Sequence, residues 1–195
     1  FSKIAFTNSE SWSNKNTPKF VNYVDLSNAK NGKISEVISY KFESAPSRAR
    51  RVLRQDDTII GLVRPANKSF AYIFESGLTG STGFAVIRPK CEFYRTFIYL
   101  SLTQQETIDY FAHIADGGAY PAIRPEVITN HLITKPTNTR LIEEFDKLGY
   151  SFFKKIGLND QSSKICSEIR DTLLPKLLSG ELRIPDAENL AAEVL

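Results

Sequence analysis

From Phe20 to Leu26 apolar and polar positions alternate, the period-two pattern of a strand with one face buried. Asn31-Gly32 is a tight-turn pair, and Val37-Ile38-Ser39-Tyr40 resumes an extended pattern. Thr58-Ile59-Ile60-Gly61-Leu62-Val63 is a continuous apolar run that predicts a fully buried strand, preceded by an acidic turn at Asp56-Asp57 and stopped by Pro65. Two further strands are expected from Phe70 to Phe74 and from Phe84 to Ile87, separated by a turn region with Gly77, Gly80 and Gly83. Between Phe93 and Phe111 the apolar positions Phe97, Leu100, Ile108 and Phe111 suit one helix or two short ones. Gly117-Gly118 and a strand-like Leu132-Ile133 close this region, and Pro136 marks a boundary. Residues 1–136 therefore read as one mixed α+β domain.

Beyond Pro136 the period changes. Thr139 is placed to cap a helix whose first turns hold Glu143 and Glu144, where negative charge suits the helix dipole. Leu141, Phe145, Leu148, Phe152 and Ile156 recur at spacings of three and four, a coiled-coil-like stripe. Gly157 and the polar stretch from Asn159 to Lys164 interrupt it, and Ile165, Ile169 and Leu173 restore it. Continuous to Leu174, such a helix measures about 50 Å. The stripe predicts a helix-to-helix seam; the alternative is an ordinary amphipathic helix lying on its own domain. Pro175 falls inside an apolar run and is expected to stop the helix near Leu174, with Gly180 closing the segment and Leu173-Leu174 and Leu177-Leu178 left seeking a partner surface. Residues 137–182 thus form a long-helix region and 183–195 a polar tail.

Charge sharpens this division. Residues 1–136 hold 17 Lys and Arg against 12 Asp and Glu, a balance of +5, whereas residues 137–195 hold 8 against 10, a balance of −2. A basic head on a non-basic rod favours an acidic partner for the head. No apolar run approaches the roughly 18 residues of a membrane span, and the first residues are too briefly apolar for a signal peptide, so a cytoplasmic location is expected. The two cysteines, Cys91 and Cys166, lie far apart and are expected to be buried, reduced thiols. From the absence of methionine the chain is expected to be a fragment, or a sequence from which modified residues are omitted.

Catalytic constellations are missing from the pattern. His113 and His131 have no Cys, His or Asp partner at metal-ligand spacing and read as surface or packing residues. The sequence has no phosphate-binding glycine loop ending in Lys and no nucleophile elbow, and Gly80-Ser81-Thr82-Gly83 leads into a strand, as a turn does. No metal or cofactor site is expected in the chain itself. The richest chemistry lies in Arg48, Arg50, Arg51 and Arg54, followed by Arg64, Asn67 and Lys68, on two loops flanking one strand. Arginine grips phosphate or reads guanine as a planar fork, and asparagine can read an adenine edge. A second loop offers Tyr120 and Arg124 to a duplex backbone or base edge. The alternative is that these arginines pair with Glu43, Asp56 and Asp57 on an ordinary surface.

The motifs Ser81-Thr82-Gly83-Phe84-Ala85-Val86-Ile87-Arg88-Pro89, Gly118-Ala119-Tyr120-Pro121-Ala122-Ile123 and the closing L-L-P-K-L-L-S-G-E-L from Leu173 to Leu182, in this order, resemble the DNA specificity subunits of type I restriction-modification systems. The resemblance implies a non-catalytic reader: a target recognition domain with a curled, mixed sheet and flanking helices, followed by a long coiled-coil-forming helix. It implies double-stranded DNA as ligand and a split target. The implied protein partners are methyltransferase subunits and, through the complex, the restriction and translocase subunit. S-adenosylmethionine, ATP and Mg would belong to those partner subunits. A full-length subunit resembles two such units in tandem, so this chain reads as a half-subunit that dimerises or as the C-terminal half of a longer protein. The competing class is an interaction scaffold whose head binds a ligand other than DNA, with an enzyme using an unrecognised carboxylate pair as a more distant third.

Overall fold

The computed structural model describes residues 1–13 and 15–182. It has ten strands: β1 (Ala5–Thr7), β2 (Phe20–Val24), β3 (Ala29–Lys30), β4 (Lys33–Ile34), β5 (Ile38–Lys41), β6 (Ala49–Leu53), β7 (Thr58–Gly61), β8 (Phe70–Tyr72), β9 (Leu78–Ser81) and β10 (Phe84–Pro89). Four helices follow: α1 (Arg95–Thr103), α2 (Gln105–His113), α3 (Pro125–Asn130) and α4 (Thr139–Leu178). The expected mixed α+β class is observed. The strands form two open four-stranded sheets, ordered β1-β10-β7-β8 and β5-β2-β9-β6, plus the hairpin β3-β4, in place of a single curled sheet. Pairing is antiparallel except between β2 and β9.

The first sheet is a middle layer buried on both faces. Ile60, Ala85 and Ile87 pack with Ile98, Leu102, Ile108, Phe111 and Ile128 of the helices, while their neighbours Ile59, Phe84 and Val86 pack with Val24, Leu53 and Ile73. Successive side chains point to opposite faces, so a strand covered on both sides reads as an unbroken apolar run, as β7 does. The hairpin turn at Asn31-Gly32 has both residues at positive φ, 49° and 84°, as a two-residue turn requires.

Several expectations are corrected. The glycine-containing segment after Gly77 is strand β9, because Gly80 lies against Leu53 and Phe84 where a Cβ would meet Leu53 at 3.3 Å. Residues 49–53, read as loop, form β6 with a bulge between Ala49 and Arg51. Leu132-Ile133 is not a strand, and Leu132 is 91% exposed; the chain there instead follows α3, whose first residue is Pro125, a position where the missing amide costs nothing. Leu100 faces solvent, and Ile98 and Leu102 fill the core. Both cysteines are exposed free thiols, Cys91 ahead of α1 and Cys166 on α4.

The cap of α4 is Asn138, whose Oδ1 accepts from the Arg140 amide at 3.0 Å, one residue before the expected Thr139. Pro175 does not stop the helix. Its missing amide forgoes one intrahelical bond, and the helix runs on to Leu178. Gly180, at φ 75°, then closes it as expected, with the Leu182 amide donating to the Lys176 carbonyl at 3.1 Å. The chain divides into two compact units, Phe1–Tyr150 and the part from Ser151 onward, so the first extends past Pro136 into α4. The tail expected at 183–195 lies outside the described residues. No described helix is long and apolar enough to cross a membrane.

Candidate nucleic-acid interface

At one end of the first unit four loops meet through the backbone. The Thr82 amide donates to the Arg48 carbonyl at 2.8 Å, and the adjacent Gly83 carbonyl accepts from the Leu62 amide at 2.8 Å, so the β9–β10 turn joins the loop before β6 to the loop after β7. The loop after β7 is in turn joined to the loop before α3: Ile123 N donates to Leu62 O at 2.9 Å and Arg64 N to Pro121 O at 2.7 Å. Segments up to 75 residues apart in sequence, from Arg48 to Ile123, thereby share one surface.

The loop after β7 is a 3-10 turn, Pro65–Asn67, with left-handed backbone at both flanks, φ 48° at Arg64 and 56° at Lys68. Positive φ on residues with a side chain is costly and recurs at functional sites. Here it turns Arg64 toward the neighbouring loop: its guanidinium donates to the Ala119 carbonyl at 2.9 Å and lies 4.4 Å over the Tyr120 ring. Tyr120 is 69% exposed. Gly117 makes this possible, since its φ is 120° and a Cβ there would come within 2.8 Å of the Tyr120 carbonyl. Lys68 Nζ donates to Gln105 at the start of α2 at 2.7 Å. Asn67 and Arg124 are exposed.

The arginines of the other loop separate. Arg48 is exposed in the turn before β6. Arg50 is half-buried, its guanidinium 4.8 Å over Phe42 and bonded to the Ala49 carbonyl. Arg51 is drawn inward: it donates to Ser11 at 3.2 Å, its Nε is buried without a partner among the described residues, and burial lowers its pKa. Arg54 pairs with Glu10 at 2.8 Å at the opposite end of β6. The structure thus gathers Arg48, Arg64, Asn67, Lys68, Tyr120 and Arg124 around the joined loops, keeps Arg50 beside them, and sets Arg51 apart.

Nor do these arginines pair with the acidic turn. Asp57, fully buried, takes two bonds from Arg88 at 2.8 Å, and Asp56 takes one from Arg95 at 3.1 Å. Sequence reasoning named neither Arg88 nor Arg95 as a partner. Arg95 also reaches Asp146 on α4 at 3.0 Å and stacks on Tyr150, so it ties the start of α4 into the head. His113 is exposed, and His131 packs against Phe111 and Tyr110, with burial lowering its pKa. Among the described residues no cluster of three His, Cys, Asp or Glu could hold a metal ion.

The expected seam residues all lie on α4, where Leu141, Phe145, Leu148, Phe152 and Ile156 share a face. Leu141, Phe145, Leu148, Phe152 and Ile156 are 43–62% exposed, and Ile165, Ile169 and Leu173 are partly exposed. Ile142 and Asp146, on the adjoining face, are buried.

No family model matches the chain. It is 37% identical over 87 residues, 44% of its length, to the type I restriction enzyme HindI specificity subunit of Haemophilus influenzae, and the match covers 19% of that protein. The crystal structure of the HsdS subunit from Thermoanaerobacter tengcongensis superposes over 89% of the chain with a TM-score of 0.61 and 27% identity. A chain of a type I restriction-modification system, solved for its assembly and conformational transition, superposes over 93% with a TM-score of 0.50 and 24% identity, a likeness of fold. The chain spans about half the length of these two structures, 45% and 50%. In sequence over 87 residues and in fold over most of its length, then, the chain is similar to part of the specificity subunits of type I restriction-modification systems.

Proposed function

We propose that the chain is a sequence-specific reader of double-stranded DNA that does no chemistry itself and directs partner methyltransferase and endonuclease subunits to a bipartite target. The observation that carries this reading is the loop end of the head, where Arg48, Asn67, Tyr120 and Arg124 are exposed on loops that bond to one another. Long cationic side chains suit phosphates, and a rigid polar loop suits a groove. Residues 1–136 would act as the target recognition domain and 137–182 as spacer, seam and docking surface for methyltransferase subunits. S-adenosylmethionine, ATP and Mg would reside on those partners. A second copy, or the second half of the same subunit, would supply the other half-site, and a homodimer would then read a palindrome with an unread spacer.

The test is fluorescence anisotropy with a labelled duplex at graded salt, comparing the chain with a double variant, Arg48→Ala with Arg124→Ala. Each lost phosphate contact reduces the salt slope by about 1. The variant should bind more weakly and with a shallower slope; undiminished binding removes this loop end from the footprint. Binding of protein but not of DNA would favour the scaffold reading, for which the exposed stripe on α4 speaks.

A further inference from the structure

The six side chains gathered at the loop end are not equally free. Arg64 is committed twice within the protein, to the Ala119 carbonyl and to the Tyr120 ring, and Lys68 is bonded to Gln105. Arg48 and Arg124 are exposed, and such long cationic side chains serve either a phosphate or a guanine edge. Asn67 differs from all of these.

Its backbone is held at its own amide and through Lys68. Asn67 N donates to the Arg64 carbonyl at 2.8 Å, Lys68 N to the Pro65 carbonyl at 3.0 Å, and the Lys68 carbonyl accepts from Asn31 at 2.9 Å. Pro65 is buried beneath, and the left-handed residues Arg64 and Lys68 bracket the turn. Yet the short amide of Asn67 is exposed and makes no hydrogen bond among the described residues. A strained, over-determined loop that holds out one unpaired amide is the arrangement that base reading needs. The amide offers a donor and an acceptor side by side, the pattern complementary to N7 and N6 of adenine in the major groove.

Resting on the DNA-reading proposal above, we infer that Asn67 is a base-reading residue selecting adenine, and that Arg64 is a positioning residue that holds the Tyr120 ring and the loop before α3 in place. Arg64 thereby leaves the list of direct contacts.

The test is selection from a randomised duplex library by the full chain, by Asn67→Ala, by Asn67→Asp and by Arg64→Ala. The unaltered chain should enrich a sequence with adenine at one position. Asn67→Ala should flatten that position alone, relaxing its discrimination about tenfold, with the other positions and the salt slope kept. Asn67→Asp, an acceptor only, should move the preference there to cytosine, whose N4 donates. Arg64→Ala should weaken binding to all sequences alike and leave the adenine position in place. Retention of the adenine preference by Asn67→Ala, or a uniform loss across all sequences, overturns the assignment while leaving DNA reading intact. Failure of the unaltered chain to enrich any sequence overturns DNA reading itself, and this inference with it.

Discussion

Asp57 and Arg88 form a buried ion pair, Arg88 on β10 and Asp57 just ahead of β7. Asp57 is fully buried and takes two guanidinium bonds together with the Arg54 amide at 2.8 Å; Arg88, 16% exposed, also reaches Glu10 at 2.9 Å. The hydrogen bond from Arg54, added to the charge of Arg88, holds the Glu10 carboxyl below its ordinary range. Breaking a buried pair on one side leaves a charge without solvent or partner, which costs about 3–5 kcal/mol. Arg88→Met should therefore lower the thermal midpoint of the head markedly, read by circular dichroism, whereas Arg54→Met, at an exposed pair, should shift it little. Arg88 stands in one of the motifs that carried the family resemblance. Its burial against Asp57 gives that position a structural reason, one that the sequence alone could not supply because the two residues are 31 apart.

At the scale of elements, the long helix is amphipathic in two directions. One side is anchored within the head: Ile142 is buried, Asp146 accepts from Arg95 and from the Thr96 amide at 3.2 Å, and Gly149 lies so close to Thr96 that a Cβ would not fit. The other side carries the exposed stripe. The anchored side is the amphipathic helix lying on its own domain, and the exposed stripe is the face on which the seam was expected, since spacing alone does not tell which stripe faces inward. The stripe was legible because five apolar residues repeat; the anchor was not, because it consists of an acid and a glycine that take meaning only opposite Arg95 and Thr96. Replacing Phe145 and Phe152 together by Asp should convert a self-associating chain to monomers in sedimentation while leaving the far-ultraviolet spectrum unchanged. Unchanged self-association would place the seam elsewhere.

For the whole molecule, class and order of elements were readable where one physical signal dominated: the unbroken apolar run of β7, the Asn31-Gly32 turn, the change of period after Pro136. They were hidden where tertiary packing overrode local signals, as when Gly80 serves strand β9 pressed closely against Leu53. The candidate site was legible as a set of residue types and less so as an arrangement. The loops of Arg48 and Arg64 are joined through the β9–β10 turn, a link without a local signature, and Arg51 turned inward at a bulge. What the fold adds is a direction: the joined loops lie at one end of the head, whereas Arg54 and the acidic turn, with their ion pairs, lie at the other end of β6.

That direction is tested most directly by amide hydrogen exchange of the full chain with and without the duplex it enriches from a randomised library. Binding at the joined loops predicts protection in residues 46–50, 62–68 and 117–124, with residues 54–57 and 73–77 unchanged. Protection confined to the second set, or none in the first, would contradict it.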